Sequence, residues 1–191
     1  VLARIEEDIE GDYEVDAFKA IWASLDGLSR EELMEVTKMP PAKWSEIQNG
    51  LDENLYEAAG QITFGNQFIR KAVEDMHLPT AASRREAHRW LGEWFDKREL
   101  TLDVARERVH QWLSARDYER ARSCLLDERV FVELYSAEDS WQGAVGSLYK
   151  FWRIDLKMSP LEVEKAYEEV VDLWSGDQES LRLLRIFLCD D

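Results

Sequence analysis

The sequence predicts a mainly α fold with one small β-hairpin, followed by antiparallel helical hairpins. Three observations predict it. Gly and Pro are scarce, at 9 and 4 of 191 residues. Apolar residues recur three and four apart over most of the chain, the spacing of one buried helical face. One stretch, 54–64, abandons that rhythm for alternation about a two-residue turn.

The elements follow in order. Three helices are expected at 15–25, 29–37 and 41–53. Ser29 with Glu32 forms a capping box for the second. Pro40-Pro41 ends that helix and sets the third. Then Asn54–Ala58 and Gln61–Phe64 read as strands, with Ala59-Gly60 as their turn. A further helix starts at Asn66. Helix, helix, helix, hairpin, helix is the order of a winged-helix domain, placed at 1–79. Beyond residue 80 the pattern is helical and paired. Ala87, Trp90, Leu91, Trp94 and Phe95 make one stripe; Leu102, Ala105, Val109, Trp112 and Leu113 make the next. Tyr118, Ala121 and Leu125 mark a short helix after Arg116-Asp117, so 103–126 reads as an αα-hairpin. Ser159, Pro160 and Glu162 open a helix carrying Val163, Ala166, Tyr167, Val170 and Trp174.

Composition sets limits on function. The formal charge is −16, from 24 Lys+Arg and 40 Asp+Glu. Phosphate-backbone binding needs clustered cations, so nucleic acid is excluded as the expected partner. At 45% hydrophobic and 11% aromatic, the chain is too apolar for a disordered acidic tail. No apolar run reaches the roughly 18 residues of a membrane span, and no signal peptide opens the chain. Two cysteines, Cys124 and Cys189, fit a reducing cytoplasm better than a secreted disulfide framework. The charge is uneven: net −6 over 1–16, −4 over 17–79, +1 over 80–129 and −7 over 130–191. The Arg-rich third block is expected to pair its Arg and Glu along solvated helix faces. Val1 in place of Met, and the apolar run Leu181–Leu188 broken off near the end, lead us to expect a piece of a longer chain.

A search for chemistry returns no catalytic set. No phosphate-loop pattern occurs; Gly143-Ala144-Val145-Gly146 lacks the lysine and is expected to serve packing or a turn. His77, His88 and His110 have no metal-ligand spacing, so no metal site is expected. Cys124 is expected to be a buried, inert thiol. Adjacent acids such as Glu31-Glu32 and Glu168-Glu169 splay around a helix and do not face one another. The 8 Trp, among them Trp22, Trp44, Trp141, Trp152 and Trp174, are expected in cores. The helix that would read DNA, 41–54, sets Lys43 against Glu46, Asp52 and Glu53, net −2. A phosphate backbone would repel it, and the hairpin adds Glu57 with no Lys or Arg. The domain is therefore expected to pack on protein.

Ile21–Leu33, Pro40–Trp44, Ile62–Val73 and Arg85–Phe95 together resemble the winged-helix domain of STAND-class NACHT ATPases and the helix leaving it. The likeness runs over about 14–130 and is to nephrocystin-like and telomerase-associated-protein-like members, which continue into TPR or WD repeats. Leu148–Arg153 resembles the helical linker before a TPR array. The resemblance implies TPR-like hairpins over 80–191, truncated at their end. It also implies a non-catalytic segment of a nucleotide-switched scaffold that packs on an upstream ATPase and leads into partner-binding repeats. No cofactor is then expected here, with ATP or ADP belonging to the parent protein. In the family a histidine just after the wing strand touches the nucleotide phosphate. Asn66 stands in its place and Gln67 follows in the place of the family's Asp. An amide donates a hydrogen bond but carries no imidazolium charge, and Asn66 also suits the cap of its own helix. Two other readings are a free-standing TPR-like adaptor for a peptide or protein, and an acidic inhibitor of a basic or nucleic-acid-binding protein.

Overall fold

The computed structural model describes residues 13–51, 54–136, 148–174 and 178–189. Expectations that rest on Asp52, Glu53, Trp141 and Gly143–Gly146 lie outside them. The contacts divide the chain after Trp94 into two compact units.

The first unit holds α1 (Tyr13–Ala23), α2 (Arg30–Thr37), α3 (Pro41–Leu51), β1 (Leu55–Ala58), β2 (Gln61–Phe64), α4 (Gln67–His77) and most of α5 (Ala81–Phe95). This is the order read from the sequence, with α1 two residues earlier than expected. The Ser29–Glu32 capping box forms on α2: the Ser29 amide donates to Glu32 Oε2 at 2.8 Å and the Glu32 amide to Ser29 Oγ at 3.2 Å. The two strands pair antiparallel, with Leu55 opposite Phe64 and Ala58 opposite Gln61. Their turn residues both lie in the left-handed region, Ala59 at φ 51° and Gly60 at φ 79°, as a two-residue hairpin with the sheet's twist requires.

A third backbone segment joins this sheet. Leu28 pairs antiparallel with Ile62, and its amide donates to the Ile62 carbonyl at 3.2 Å while the Ile62 amide donates back at 2.8 Å. Gly27 makes the approach feasible. A Cβ there would stand 2.6 Å from Thr63 Cγ2 and 2.7 Å from the Ile62 carbonyl oxygen. Buried Phe18, Ile21, Leu33, Trp44, Ile47 and Ile62 build the core of this unit. Phe18 packs its ring against Phe64 and His77, and Trp22 packs against His88.

The second unit contains α6 (Leu102–Ser114), α7 (Tyr118–Leu126), α8 (Glu128–Ser136), a π-helical segment (Lys150–Asp155), α9 (Pro160–Glu168), a 3₁₀ turn (Val171–Leu173) and α10 (Gln178–Cys189). The α6–α7 hairpin forms where the sequence placed it. Arg116 takes a left-handed φ of 59°, and Asp117 caps α7 by accepting from the Arg120 amide. One apolar cluster runs through the unit, centred on Phe131, Trp152 and Tyr167. The Phe131 ring lies edge-on to Tyr167 at 5.6 Å, and Trp152 meets Tyr167 at 5.7 Å.

Three expectations change in detail. Lys150–Asp155 is π-helical, where an ordinary helix was expected. The wider turn buries the adjacent aromatics Phe151 and Trp152 together, and such segments are rare in regular helices. The helix meant to carry Val170 and Trp174 stops at Glu168. Glu168 and Glu169 set negative charge at a helix C-terminus, which the helix dipole disfavours, and β-branched Val170-Val171 follows. Tyr118 is 52% exposed, so only Ala121 and Leu125 carry the buried stripe of α7.

Candidate interaction groove

Two places in the chain bear on function, one in each unit. The first is the turn from β2 into α4, which holds Asn66. Its backbone is extended, and its side-chain Oδ1 accepts from the Ile69 amide at 3.0 Å. That is the N-cap arrangement, which satisfies one of the unpaired amides of the first turn. Gly65 ties the same turn back to the strand, its amide donating to the Asn54 carbonyl at 2.8 Å. Asn66 and Gln67 are exposed, and Phe68 beside them is 86% exposed.

The second place is a groove of about 570 Å³ within the second unit. One wall is a face of α7. Glu119, Arg122, Ser123 and Leu126 line it, and their spacing of three and four residues puts them on one side of the helix, turned away from buried Ala121 and Leu125. The opposite wall is the end of α9 and the 3₁₀ turn, through Glu169, Val170, Leu173 and Trp174. Asp127, Glu128 and Arg129 close one end. Asp127 also fixes the start of α8, its Oδ1 accepting from the Arg129 amide at 2.9 Å and the Val130 amide at 3.2 Å.

A hydrogen bond pins the floor, and one apolar side chain stands exposed on a largely polar rim. Trp174, 9% exposed, donates its indole N–H to the Leu126 carbonyl at 3.1 Å, which locks the two walls together. Arg122 reaches across to Glu169 at 3.2 Å. This ion pair is largely solvated, so it contributes at most about 1 kcal/mol and serves chiefly to orient the two side chains. Arg122 Nε, in contrast, is buried with no hydrogen-bond acceptor among the described residues. Leu173 stands 82% exposed on the rim. Four carboxylates and two guanidinium groups line the groove.

Sequence reasoning missed this groove. Leu173 stands three residues after Val170 and seven after Ala166, so helical spacing places it on the edge of the same stripe, and its exposure follows only from the end of α9 at Glu168. The thiol that the sequence singled out, Cys124, is half-buried on α7. Burial is the main cause that pushes its pKa from 9.0 up to about 12, with the Asp96 carboxylate adding to it. A thiol so protonated is a poor nucleophile near neutrality. Among the described residues, no group of three or more His, Cys, Asp and Glu side chains is placed to hold a metal ion. No helix among them is long and apolar enough to cross a membrane.

No family model matches the sequence, and no solved structure matches it. A TPR repeat-containing protein of Dictyostelium discoideum is similar, at 29% identity over 143 residues. The match covers 71% of this chain and 9% of that protein, so the chain spans a small part of its relative's length.

Proposed function

We propose that this chain is a non-catalytic protein-interaction segment, whose second unit is a TPR-like helical array that binds a protein through the groove between α7 and the end of α9. The observation that carries this reading is Leu173, an apolar side chain 82% exposed above a floor fixed by Trp174. Interfaces gather their energy at apolar anchors surrounded by polar groups, which is the composition of this groove. The likeness to a TPR repeat-containing protein supports the same reading.

The finer reading is a regulatory segment of a STAND-class scaffold, with the first unit as a winged helix packed on an upstream ATPase. The element order supports it, and so does Leu28, which adds a third strand-like segment to the hairpin from the α1–α2 connection. In that setting Asn66 occupies the nucleotide-sensing position, and ATP or ADP belongs to the parent protein. The location would be cytoplasmic.

A photo-crosslinking residue at position 173 of the full chain tests the interaction reading in cells. Adducts to a protein, or to another segment of the parent chain, support it. Absence of any protein adduct at 173 overturns it, as does ATP turnover by the isolated chain that survives repurification.

A further inference from the structure

The hairpin of the first unit leaves one backbone edge open. On β2, Ile62 turns both its N–H and its C=O to Leu28, away from β1. Glu57 stands opposite Ile62 in the ladder. Two residues opposite each other in an antiparallel pair both turn inward or both turn outward. Glu57 therefore turns its N–H and C=O away from β2, and alternation along the strand gives Leu55 the same direction. Among the described residues, nothing pairs with these two donors and two acceptors. A cavity of about 130 Å³ lies beside this edge, lined by Trp44 and Gln48 of α3, Leu55 and Glu57 of β1, and Ile62 of β2. Leu55, Glu57 and Ile62 share one face of the sheet. The lining passes from fully buried Trp44 to exposed Glu57.

We infer that β1 takes up an extended segment of another protein as an added antiparallel strand, with the pattern basic–x–aliphatic facing α3. Main-chain bonds to Leu55 and Glu57 hold the segment, and its alternate side chains select it. The residue set opposite Leu55 enters the cavity, which has room for one aliphatic side chain. The residue two places earlier is set opposite Glu57, a carboxylate that no ion pair engages among the described residues. Opposite charges facing each other across a ladder stabilise it, and like charges oppose it. A second copy of this chain is a poor occupant. The same pairing sets Glu57 against Leu55 and brings together two chains of −16. A short strand with a charge on its edge is also a common guard against self-pairing. This site belongs to the first unit and does not depend on the groove at Leu173.

A fluorescein-labelled 10-residue peptide centred on Lys-Thr-Val tests this on the 191-residue chain by fluorescence anisotropy. One control carries Glu in place of Lys. The other is N-methylated at Val, which removes the amide that pairs with the Leu55 carbonyl. The first peptide is expected to bind at least tenfold tighter than either control. Glu57→Lys is expected to reverse the preference for the Lys peptide over the Glu peptide. Glu57 is exposed, so an unchanged melting temperature shows that this variant is folded. Amide exchange read by NMR supplies a measurement on the unaltered chain. Saturating peptide is expected to slow exchange at Leu55 and Glu57 at least tenfold and to leave Tyr56 and Ala58, already bonded to β2, unchanged. Binding without that alternate protection overturns the inference. So does equal binding of either control, a folded Glu57→Lys chain that keeps the Lys preference, or no saturable binding by about 1 mM. Protection at Leu55 and Glu57 that grows with protein concentration in the absence of peptide makes a second copy the occupant, and overturns it too.

Discussion

Trp152 donates its indole N–H to the Tyr167 hydroxyl at 3.2 Å, and that hydroxyl donates in turn to the Leu125 carbonyl at 3.0 Å. Both side chains are fully buried. The chain of bonds ties the π-helical segment to α9 and then to the end of α7, the wall that carries Leu126. Burial of the phenol raises its pKa above the ordinary tyrosine range. It therefore remains a protonated donor at any pH where the protein is handled.

Tyr167→Phe keeps the ring and removes both bonds. It leaves a buried indole N–H and a buried carbonyl without that partner, a loss of about 1–3 kcal/mol. Urea unfolding followed by tryptophan fluorescence should show the midpoint falling with little change in slope. A variant as stable as the parent would mean that the network contributes nothing net.

The close approach at Gly27 gives a second contrast. Gly27→Ala sets a methyl group against Thr63 Cγ2 and the Ile62 carbonyl, at a φ of 97°. Gly60→Ala has the same conformational problem at φ 79°, yet nothing lies within 4 Å of the added methyl. Left-handed strain alone costs about 1–2 kcal/mol. Gly27→Ala should therefore destabilise by clearly more than Gly60→Ala, and should also speed amide exchange at Ile62. Equal losses would mean that Thr63 and the Ile62 backbone shift to admit the methyl group without cost.

Much of this fold was legible because local signals agreed with it. Ser29–Glu32 and Ser159–Glu162 both formed capping boxes, and Ala59-Gly60 formed the turn. These features depend on neighbours in sequence. Leu28 on Ile62, Trp174 on Leu126 and Arg122 on Glu169 join residues 34 to 48 apart, and no spacing rule pairs them. The groove is made of the last two of these meetings, so the sequence showed its parts and not its assembly. Val170 and Trp174 show the opposite error. Their spacing was helical, but acids at the helix end and a β-branched pair stopped α9 before it reached them.

The thiols give a pH test. Cys124 is held protonated up to about 12, while Cys189 is exposed. Near pH 8 a thiol reagent should label Cys189 quickly and Cys124 only when the second unit opens. The raised pKa also fixes the sign of its effect on stability. The folded state keeps the proton that the unfolded chain gives up, so this contribution is whole below pH 9.0 and is lost as pH climbs toward about 12. Cys124→Ser cannot titrate there, and its stability should fall less steeply than the parent's across that window. Identical slopes would show that the thiol does not feel its burial.

Asn66 separates a local role from a nucleotide role. Its Oδ1 caps α4 through the Ile69 amide, and Asp supplies the same acceptor with a charge the helix dipole favours. Asn66→Ala should lose about 1 kcal/mol of stability, and Asn66→Asp should lose little or none. A parent chain carrying an ATPase domain allows the second measurement. An amide at a phosphate donates its N–H, whereas a carboxylate there repels the phosphate. If Asn66 only caps, Asn66→Asp leaves nucleotide affinity where it was, and this is the outcome we expect. The cap bond already occupies the side-chain oxygen and fixes the rotamer. A tenfold or greater loss of affinity with stability intact would instead place the amide N–H on the nucleotide.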